Sequence, residues 1–160
     1  MESVHRRTFL KGSLGTAAMV AALPHRPTRA AGEKVVIGLM GAGGRGRQVA
    51  QMFAARPDVE IAWICDPDSR RLGPAKQAIE KAQGRAPQTA QDFRRILDDK
   101  HVDAMINATP DHWHALGTIL ACQAGKDVYV EKPLAHNVWE GRKMIEAARK
   151  YKRVVQVGMQ

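Results

Sequence analysis

A lysine and a glutamate stand together where a strand-like segment ends, and their types suit them to proton chemistry. The segment Asp127 to Val130 runs directly into Glu131-Lys132-Pro133. The residue before a proline is biased towards an extended backbone, so the direction of the Lys132 side chain is restricted. An ammonium held in this way can polarise a hydroxyl or a ketone, or hold it by a hydrogen bond. We therefore expect Lys132 to be catalytic; an ordinary surface lysine at a strand end is the alternative.

A glycine-rich turn follows the first apolar segment, Val35 to Met40, and its spacing is that of an anion-binding loop. Three glycines stand at i, i+2 and i+5, and a helical pattern follows them. In such a strand–turn–helix unit the first glycine permits a sharp turn, the second lets the backbone approach a pyrophosphate, and the third lets the helix lie close to the strand. The anion rests on the free N–H groups at the helix start. We assign dinucleotide binding to Gly41, Gly43, Gly44, Arg45 and Gly46.

An acidic residue, Asp66, follows the second apolar segment, Val59 to Cys65. In dinucleotide folds an acid about 20 residues past the glycines accepts hydrogen bonds from the adenosine ribose hydroxyls. A carboxylate there repels a 2′-phosphate, which favours NAD, whereas Arg70 and Arg71 could offset that charge and keep NADP open. A helix cap or turn residue before Pro67 is the alternative role for Asp66.

Thr109 and Pro110 follow a further strand-like segment, and two histidines come soon after them. His112 and His114, with Asp111, raise the alternative of a metal site. On a helix, residues i and i+2 do not share a face, and no third strong ligand is near in the sequence. We therefore expect no metal, and we expect His114 to be a structural or cofactor-side residue.

Strand-like and helical segments alternate along the chain with short loops between them, which predicts a doubly wound α/β fold with a parallel sheet, the Rossmann arrangement. The strands are expected at 35–40, 59–65, 102–108, 127–130 and 154–157. Helices are expected at 48–55, 69–83, 115–124 and 137–150. The helix at 69–83 is expected to be interrupted at Gly73-Pro74, and a further helix is expected to begin at a cap formed by Thr89 and Asp92. The candidate residues each follow a strand, so they should converge on one edge of the sheet, where ligands bind.

Composition excludes several classes of protein. The 160 residues are 44% hydrophobic and 26% charged, which suits one globular domain of roughly 100–150 residues. The net charge of +9 is uneven, because the first 30 residues hold five Lys or Arg and one acid. No basic cluster alternates with aromatic residues, so we expect no nucleic-acid partner. No apolar run reaches the ~18–20 residues that span a bilayer. Cys65 and Cys122 are expected to be buried free thiols.

The N-terminal segment has the features of an export signal. A short basic start, His5 to Lys11, precedes an uncharged stretch from Gly12 to Leu23 that is too short for a membrane helix. The paired arginines resemble the twin-arginine signal, except that His5 stands where that signal usually has Ser or Thr. We predict a signal over residues 1–31, export through the twin-arginine machinery to the periplasm, and a dinucleotide-binding domain over 32–160. A disordered basic tail is the alternative.

Four motifs, GAGGRG, ICDPD, NATPDHWH and VYVEKPLA, together resemble the N-terminal domain of the Gfo/Idh/MocA oxidoreductases, from about Val35 to Gln160. The resemblance implies NAD(P)-dependent hydride transfer on a sugar, polyol or related hydroxy compound. It implies that the glycines hold the pyrophosphate and Asp66 the adenosine ribose. Lys132 matches the catalytic lysine of that family. Its implied nicotinamide-side residues are Thr109, Pro110 and Glu131.

The sequence departs from the family in its length. Family members have a C-terminal α/β domain that builds the substrate pocket and through which they often form oligomers, and no residues for it remain here. We expect cofactor binding with little or no turnover by this chain alone, whether it is a fragment or a complete remnant. Three functions stay open: half of a sugar oxidoreductase, half of a glycosidase that uses NAD transiently, and a non-catalytic nucleotide-binding module.

Overall fold

The computed structural model describes residues 33–159, so the signal expected over residues 1–31 lies outside the described part, as does Gln160. The strands are β1 (Val35–Met40), β2 (Val59–Cys65), β3 (Gln88–Ala90), β4 (Ala104–Asn107), β5 (Asp127–Glu131) and β6 (Val155–Gly158). The helices are α1 (Gly44–Ala54), α2 (Ser69–Gln83), α3 (Arg94–Asp98), α4 (His114–Gln123) and α5 (Val138–Tyr151), with a 3₁₀ turn at Asp111–Trp113.

The strands form one six-stranded sheet in the order β3-β2-β1-β4-β5-β6. Every neighbouring pair runs parallel. The chain moves outwards from β1 in one direction and then, from β4, in the other. The predicted doubly wound Rossmann fold is therefore confirmed, and the reversal between β1 and β4 creates the crevice in which such folds bind ligands.

Two apolar cores cover the two faces of the sheet. On one face α1 and α2 contribute Val49, Ala50 and Ile79 against Leu39 of the central strand and its neighbours. The other face is covered by α3, α4 and α5 and includes Met105, Val130 and Met144. Successive strand residues point to opposite faces, so strands buried on both sides read as continuous apolar runs. This explains why most of the strands could be predicted from the sequence.

The segment around Thr89 differs from the sequence expectation. Thr89 lies inside the short edge strand β3, which pairs with β2 from Trp63 to Cys65. The turn before α3 is instead held by Asp92, whose Oδ1 accepts from the Arg94 amide at 3.0 Å. A three-residue strand has almost no pattern of its own, because its stability comes from the strand beside it.

The expected interruption at Gly73-Pro74 is also wrong, because α2 runs unbroken from Ser69 to Gln83 with Pro74 inside it. A proline costs one backbone hydrogen bond in a helix interior. Ala75 and Ile79 are both fully buried against the sheet, and this burial offsets the loss. The helix ends as expected at Gly84, which has a φ of 77°.

Candidate functional site

The glycine turn between β1 and α1 is built without room for side chains at two positions. Gly41 has a φ of +94°, and a Cβ there would lie 2.7 Å from the carbonyl oxygen of Ala108. A Cβ on Gly46 would overlap the carbonyl oxygen of Gly41 itself. Gly43 is different, since the only atom near its Cβ position is Nη1 of Arg71 at 3.4 Å. The second glycine therefore leaves an open approach to the backbone.

The start of α1 is arranged to receive an anion. Its N-cap is Gly43, which supplies no side-chain cap, and no acidic residue lies in the first turn. The first N–H groups of a helix have no partner within the helix, and the helix dipole makes this end positive. Gly44, Arg45 and Gly46 form this first turn. The same geometry holds phosphate groups in many nucleotide sites.

Asp66 is 4% exposed, and both of its carboxylate oxygens accept backbone hydrogen bonds. Oδ2 accepts from the Ala42 amide in the glycine turn, and Oδ1 from the Asp68 amide, each at 2.9 Å. The N-cap of α2 is Asp68, so Asp66 is not the helix cap. A carboxylate has about four acceptor positions, so it can also accept from two hydroxyls in front of it.

A cavity of about 780 Å³ opens over this edge of the sheet. Of the ten residues that the sequence assigns to the cofactor, five line the cavity: Gly41, Gly43, Asp66, Thr109 and Pro110. The other five, Gly44, Arg45, Gly46, His114 and Glu131, lie outside its lining. The volume is within the usual range for cofactor pockets, and the open Gly43 backbone faces it. The residues present therefore fit a dinucleotide, with the N-cap glycine of the anion site and the buried carboxylate lining one cavity.

The loop after β3 also lines the cavity, and sequence reasoning did not assign it to the site. It contributes Gln91, Phe93 and Arg94. The ring of Phe93 stands edge-on to that of Trp113, with centroids 6.5 Å apart. Trp113 is 41% exposed and lines the cavity as well. The loop was missed because β3 was missed, and only the strand shows that this loop reaches the same edge.

His114 is 1% exposed and ties together the loops that follow β4 and β5. Its Nε2 lies 2.8 Å from the carbonyl oxygen of Thr109, and its Nδ1 lies 2.6 Å from that of Pro133. A carbonyl oxygen only accepts, so both hydrogen bonds form together only when both ring nitrogens carry a proton. Asn107 completes the network, because its amide donates to the His114 carbonyl and its oxygen accepts from the Thr109 hydroxyl.

The end of β5 brings Glu131 into contact with the glycine turn. Glu131 is 4% exposed, and its Oε1 lies 2.9 Å from Nη2 of Arg45. Nε of Arg45 is buried and has no hydrogen-bond partner within the described residues. Lys132, the next residue, is exposed at the same edge and lies outside the lining of the cavity. The sheet thus places Lys132 beside the cavity and directs Glu131 towards Arg45.

A surface contact joins the same two loops further out. Nδ1 of His136 lies 3.2 Å from Oδ2 of Asp111. The hydrogen bond from His136 lowers the pKa of Asp111, and the contact with Asp111 raises the pKa of His136. Within residues 33–159, no group of three or more His, Cys, Asp or Glu side chains is placed to hold a metal ion.

The cysteines are buried free thiols, as the sequence predicts. Burial, followed by the nearby charges of Asp66 and Asp92, raises the pKa of Cys65 to about 12. The pKa of Cys122 is raised for the same first reason. Nucleophilic cysteines need the thiolate, so neither residue suits that role.

Among the described helices, none combines the length and the apolar character that crossing a bilayer requires.

Comparison with known proteins agrees with this geometry. A family model described as "Oxidoreductase family, NAD-binding Rossmann fold" matches residues 35–159. The chain belongs to the Gfo/Idh/MocA oxidoreductase family. The expectation of NAD as cofactor is confirmed at the level of the family. A second model, for the twin-arginine translocation pathway signal sequence, matches residues 3–22, so the signal expected from the paired arginines is confirmed as a sequence match.

Relatives of this Gfo/Idh/MocA domain include glycosidases and a dehydrogenase. A glycosyl hydrolase family 109 protein of Stenotrophomonas maltophilia is 37% identical over 82% of this chain and 30% of its own length. An alpha-N-acetylgalactosaminidase of Shewanella oneidensis is 30% identical over 94% of this chain and 38% of its own length. The WlbA dehydrogenase of Bordetella pertussis, solved with NADH and UDP-GlcNAcA, is 29% identical with a TM-score of 0.68, over 79% of this chain and 37% of that one. The chain thus spans about a third of the length of these relatives.

Proposed function

We propose that this chain is the NAD-binding domain of an exported enzyme that transfers hydride at a hydroxyl-bearing carbon of a sugar, a polyol or a related compound. One observation carries the proposal. The glycine turn, Asp66, the Thr109 loop and Lys132 follow β1, β2, β4 and β5, and the parallel sheet gathers them at one edge. An anion site, a buried carboxylate and a lysine at the same edge suit a dinucleotide that reacts with a hydroxyl compound.

The proposed roles follow the order of the strands. The backbone N–H groups of Gly44, Arg45 and Gly46 hold the pyrophosphate, with Gly41 and Gly43 shaping the turn. Asp66 accepts hydrogen bonds from the adenosine ribose hydroxyls.

The remaining roles belong to the loops after β4 and β5. Thr109 and Pro110 contact the nicotinamide side, and His114 holds their loop in position. Glu131 fixes Arg45, and Lys132 hydrogen-bonds the reacting oxygen of the substrate. The bound NAD supplies the hydride acceptor.

We further propose that the active enzyme needs a second domain. The relatives are about three times as long as this chain, so most of their length has no counterpart in the described residues. The substrate pocket would then be built by the part of the relatives' length that the match does not cover, and the described residues alone would bind NAD without turnover. The DNA downstream of the Gln160 codon, read in frame, tests this directly. We also propose residues 1–31 as the cleaved signal, 32–160 as the domain, and the periplasm as the destination.

Titration of the chain with NAD tests the binding proposal. Asp66→Asn removes the charge but keeps the shape, and Asp66→Ala removes the whole group. We expect both to weaken NAD binding by at least about tenfold, because hydrogen bonds to a charged group are lost. Asp58→Asn is the matched control, since Asp58 pairs with Arg56 on an exposed turn. Unchanged NAD affinity in both Asp66 variants, with native circular dichroism, would overturn the assignment.

The glycosidase reading is a second candidate, and the two curated relatives described above favour it. Both enzymes would use the same NAD site and the same lysine, but a glycosidase regenerates its NAD in every turnover. The two are separated by absorbance at the NADH wavelength in the product of the complete gene, with an alcohol substrate or an N-acetylgalactosaminide. Net NADH formation supports the oxidoreductase, and sugar release without NADH supports the glycosidase. Lys132→Ala should abolish either activity and retain NAD binding.

A further inference from the structure

Arg71 stands at the point where the ribose carboxylate meets the glycine turn. Its Nη1 lies 3.8 Å from Oδ2 of Asp66 and its Nε lies 3.5 Å from Oδ2 of Asp68. The same Nη1 lies 3.4 Å from the Cβ position of Gly43. Arg71 lines the cavity, and its side chain is 55% exposed. A cation therefore lies beside the carboxylate that we assign to the adenosine ribose.

The neighbouring Arg70 is placed differently from Arg71. Its Nε and Nη2 lie 2.9 and 3.0 Å from the two carboxylate oxygens of Asp68, and its side chain is 89% exposed. It is absent from the cavity lining. Of the two arginines that the sequence places after Asp66, only Arg71 is positioned to meet a cofactor.

Both arginines that line the cavity are matched to a carboxylate. Arg71 contacts Asp68, and Arg94 makes hydrogen bonds to both oxygens of Asp92. The hydrogen bond from Arg70 lowers the pKa of Asp68, and that from Arg94 lowers the pKa of Asp92 to about 2. Both carboxylates are therefore ionised at neutral pH. Arg70 and Arg71 share Asp68, and Asp66 lies beside Arg71, so these two positive charges are balanced by two negative ones. Arg94 is balanced by Asp92.

A 2′-phosphate would add nearly two negative charges at the ribose, next to Asp66. A strong site for it requires an arginine that can bind the phosphate with two hydrogen bonds. Arg71 lies close enough to Asp66 to reach such a phosphate, but its guanidinium also pairs with Asp68. Removal of the Asp68 charge would leave Arg71 free to turn from Asp68 to the phosphate.

We propose that Asp68 is a specificity-determining residue that keeps this domain selective for NAD over NADP by pairing with Arg71. This inference rests on the proposed assignment of Asp66 to the adenosine ribose. Asp66 repels the 2′-phosphate directly, whereas Asp68 withholds the one cavity arginine that lies close enough to Asp66 to compensate it. Selectivity thus depends on two carboxylates, of which only Asp66 touches the ribose.

Asp68→Asn is a clean test because asparagine also caps helices well and can still accept from the Arg70 amide. Titrate the full chain with NADH and with NADPH, following the fluorescence of the reduced cofactor. We expect Asp68→Asn to raise the affinity for NADPH relative to NADH by about five- to tenfold. Asp58→Asn, which breaks an exposed Arg–Asp pair outside the cavity, should leave the ratio unchanged. The double change Asp68→Asn with Arg71→Gln should lose the gain.

The outcomes separate this inference from the proposed function. An unchanged NADPH to NADH ratio in Asp68→Asn, with NADH still bound, overturns the role of Asp68 and leaves the proposed function standing. A gain that persists in the double variant shows a general charge effect and also overturns it. If the unaltered chain binds neither cofactor, the proposed function fails and this inference fails with it.

Discussion

Nη2 of Arg45 lies 2.9 Å from Oε1 of Glu131 and joins the glycine turn to the end of β5. β4 lies between β1 and β5 in the sheet, so the contact passes over the end of β4. It links the proposed pyrophosphate turn to the residue directly before Lys132. The two halves of the doubly wound sheet are therefore connected by a charged pair at the edge where the cofactor would lie.

The first prediction concerns this pair. Arg45→Gln should lower the free energy of unfolding by about 1–3 kcal/mol, because it removes a charged partner from the buried Glu131 carboxylate. Arg45 is itself 38% exposed, so the lower part of that range is expected. Arg56→Gln breaks the exposed Arg56–Asp58 pair and should cost less than about 1 kcal/mol. Urea unfolding of the two variants measures the difference, and equal costs would contradict the prediction.

The second prediction compares two glycines of the same turn. Gly46→Ala should destabilise the fold by about 1–3 kcal/mol or more, because the added Cβ overlaps the Gly41 carbonyl oxygen. Gly44→Ala is the matched control. A Cβ at Gly44 meets nothing within 4 Å, so its stability should change by less than about 1 kcal/mol. Thermal unfolding of both variants decides the matter; a stable Gly46→Ala protein would show that the turn can shift.

The third prediction concerns the loops that His114 joins. His114→Gln cannot donate to the Thr109 and Pro133 carbonyls with the same geometry, so both loops should open more often. Hydrogen exchange followed by mass spectrometry should show faster exchange in the peptides around these two residues and unchanged exchange in β1 and β2. His101→Gln is the control, because His101 is exposed and lies away from both loops. Uniformly faster exchange would indicate general destabilisation instead.

The fourth prediction is a pH dependence of the contact between His136 and Asp111. The pKa of His136 is raised, so its contribution is complete below the unfolded value of 6.5 and is lost as the pH rises through the folded value. The pKa of Asp111 is lowered, so its contribution is present above 3.8 and is lost as the pH falls through its folded value. Stability from this contact should therefore be greatest between pH 3.8 and 6.5.

Thermal midpoints measured from acid to alkaline pH test this directly. The midpoint of the unaltered chain should exceed that of His136→Gln in the acidic window, and the two should converge in alkaline solution. Asp111→Asn should remove the same part of the profile, because either change breaks the same contact. A difference that persists at alkaline pH would assign the stabilisation to something other than this charged contact.

Much of the fold could be predicted from local patterns. β1 and β2 begin and end where the apolar runs do, because strands buried on both faces are apolar throughout. α2 also matches its expected limits, and its end at Gly84 follows from the left-handed backbone that glycine tolerates. β3 could not be predicted, since three residues stabilised by a neighbouring strand carry no periodic signal.

The candidate site also has a part that local sequence patterns predict and a part that they do not. The sequence by itself determined that the glycine turn, Asp66, the Thr109 loop and Lys132 each follow a strand. The parallel order of the strands then required these candidate residues to share one edge of the sheet. Only the tertiary structure decided that Glu131 faces Arg45, that His114 joins two carbonyls, and that Arg71 rather than Arg70 stands beside Asp66. The spacing of a motif indicates which residues follow the end of a strand. Side-chain partners depend on which strands are neighbours, and residues far apart in the chain determine that.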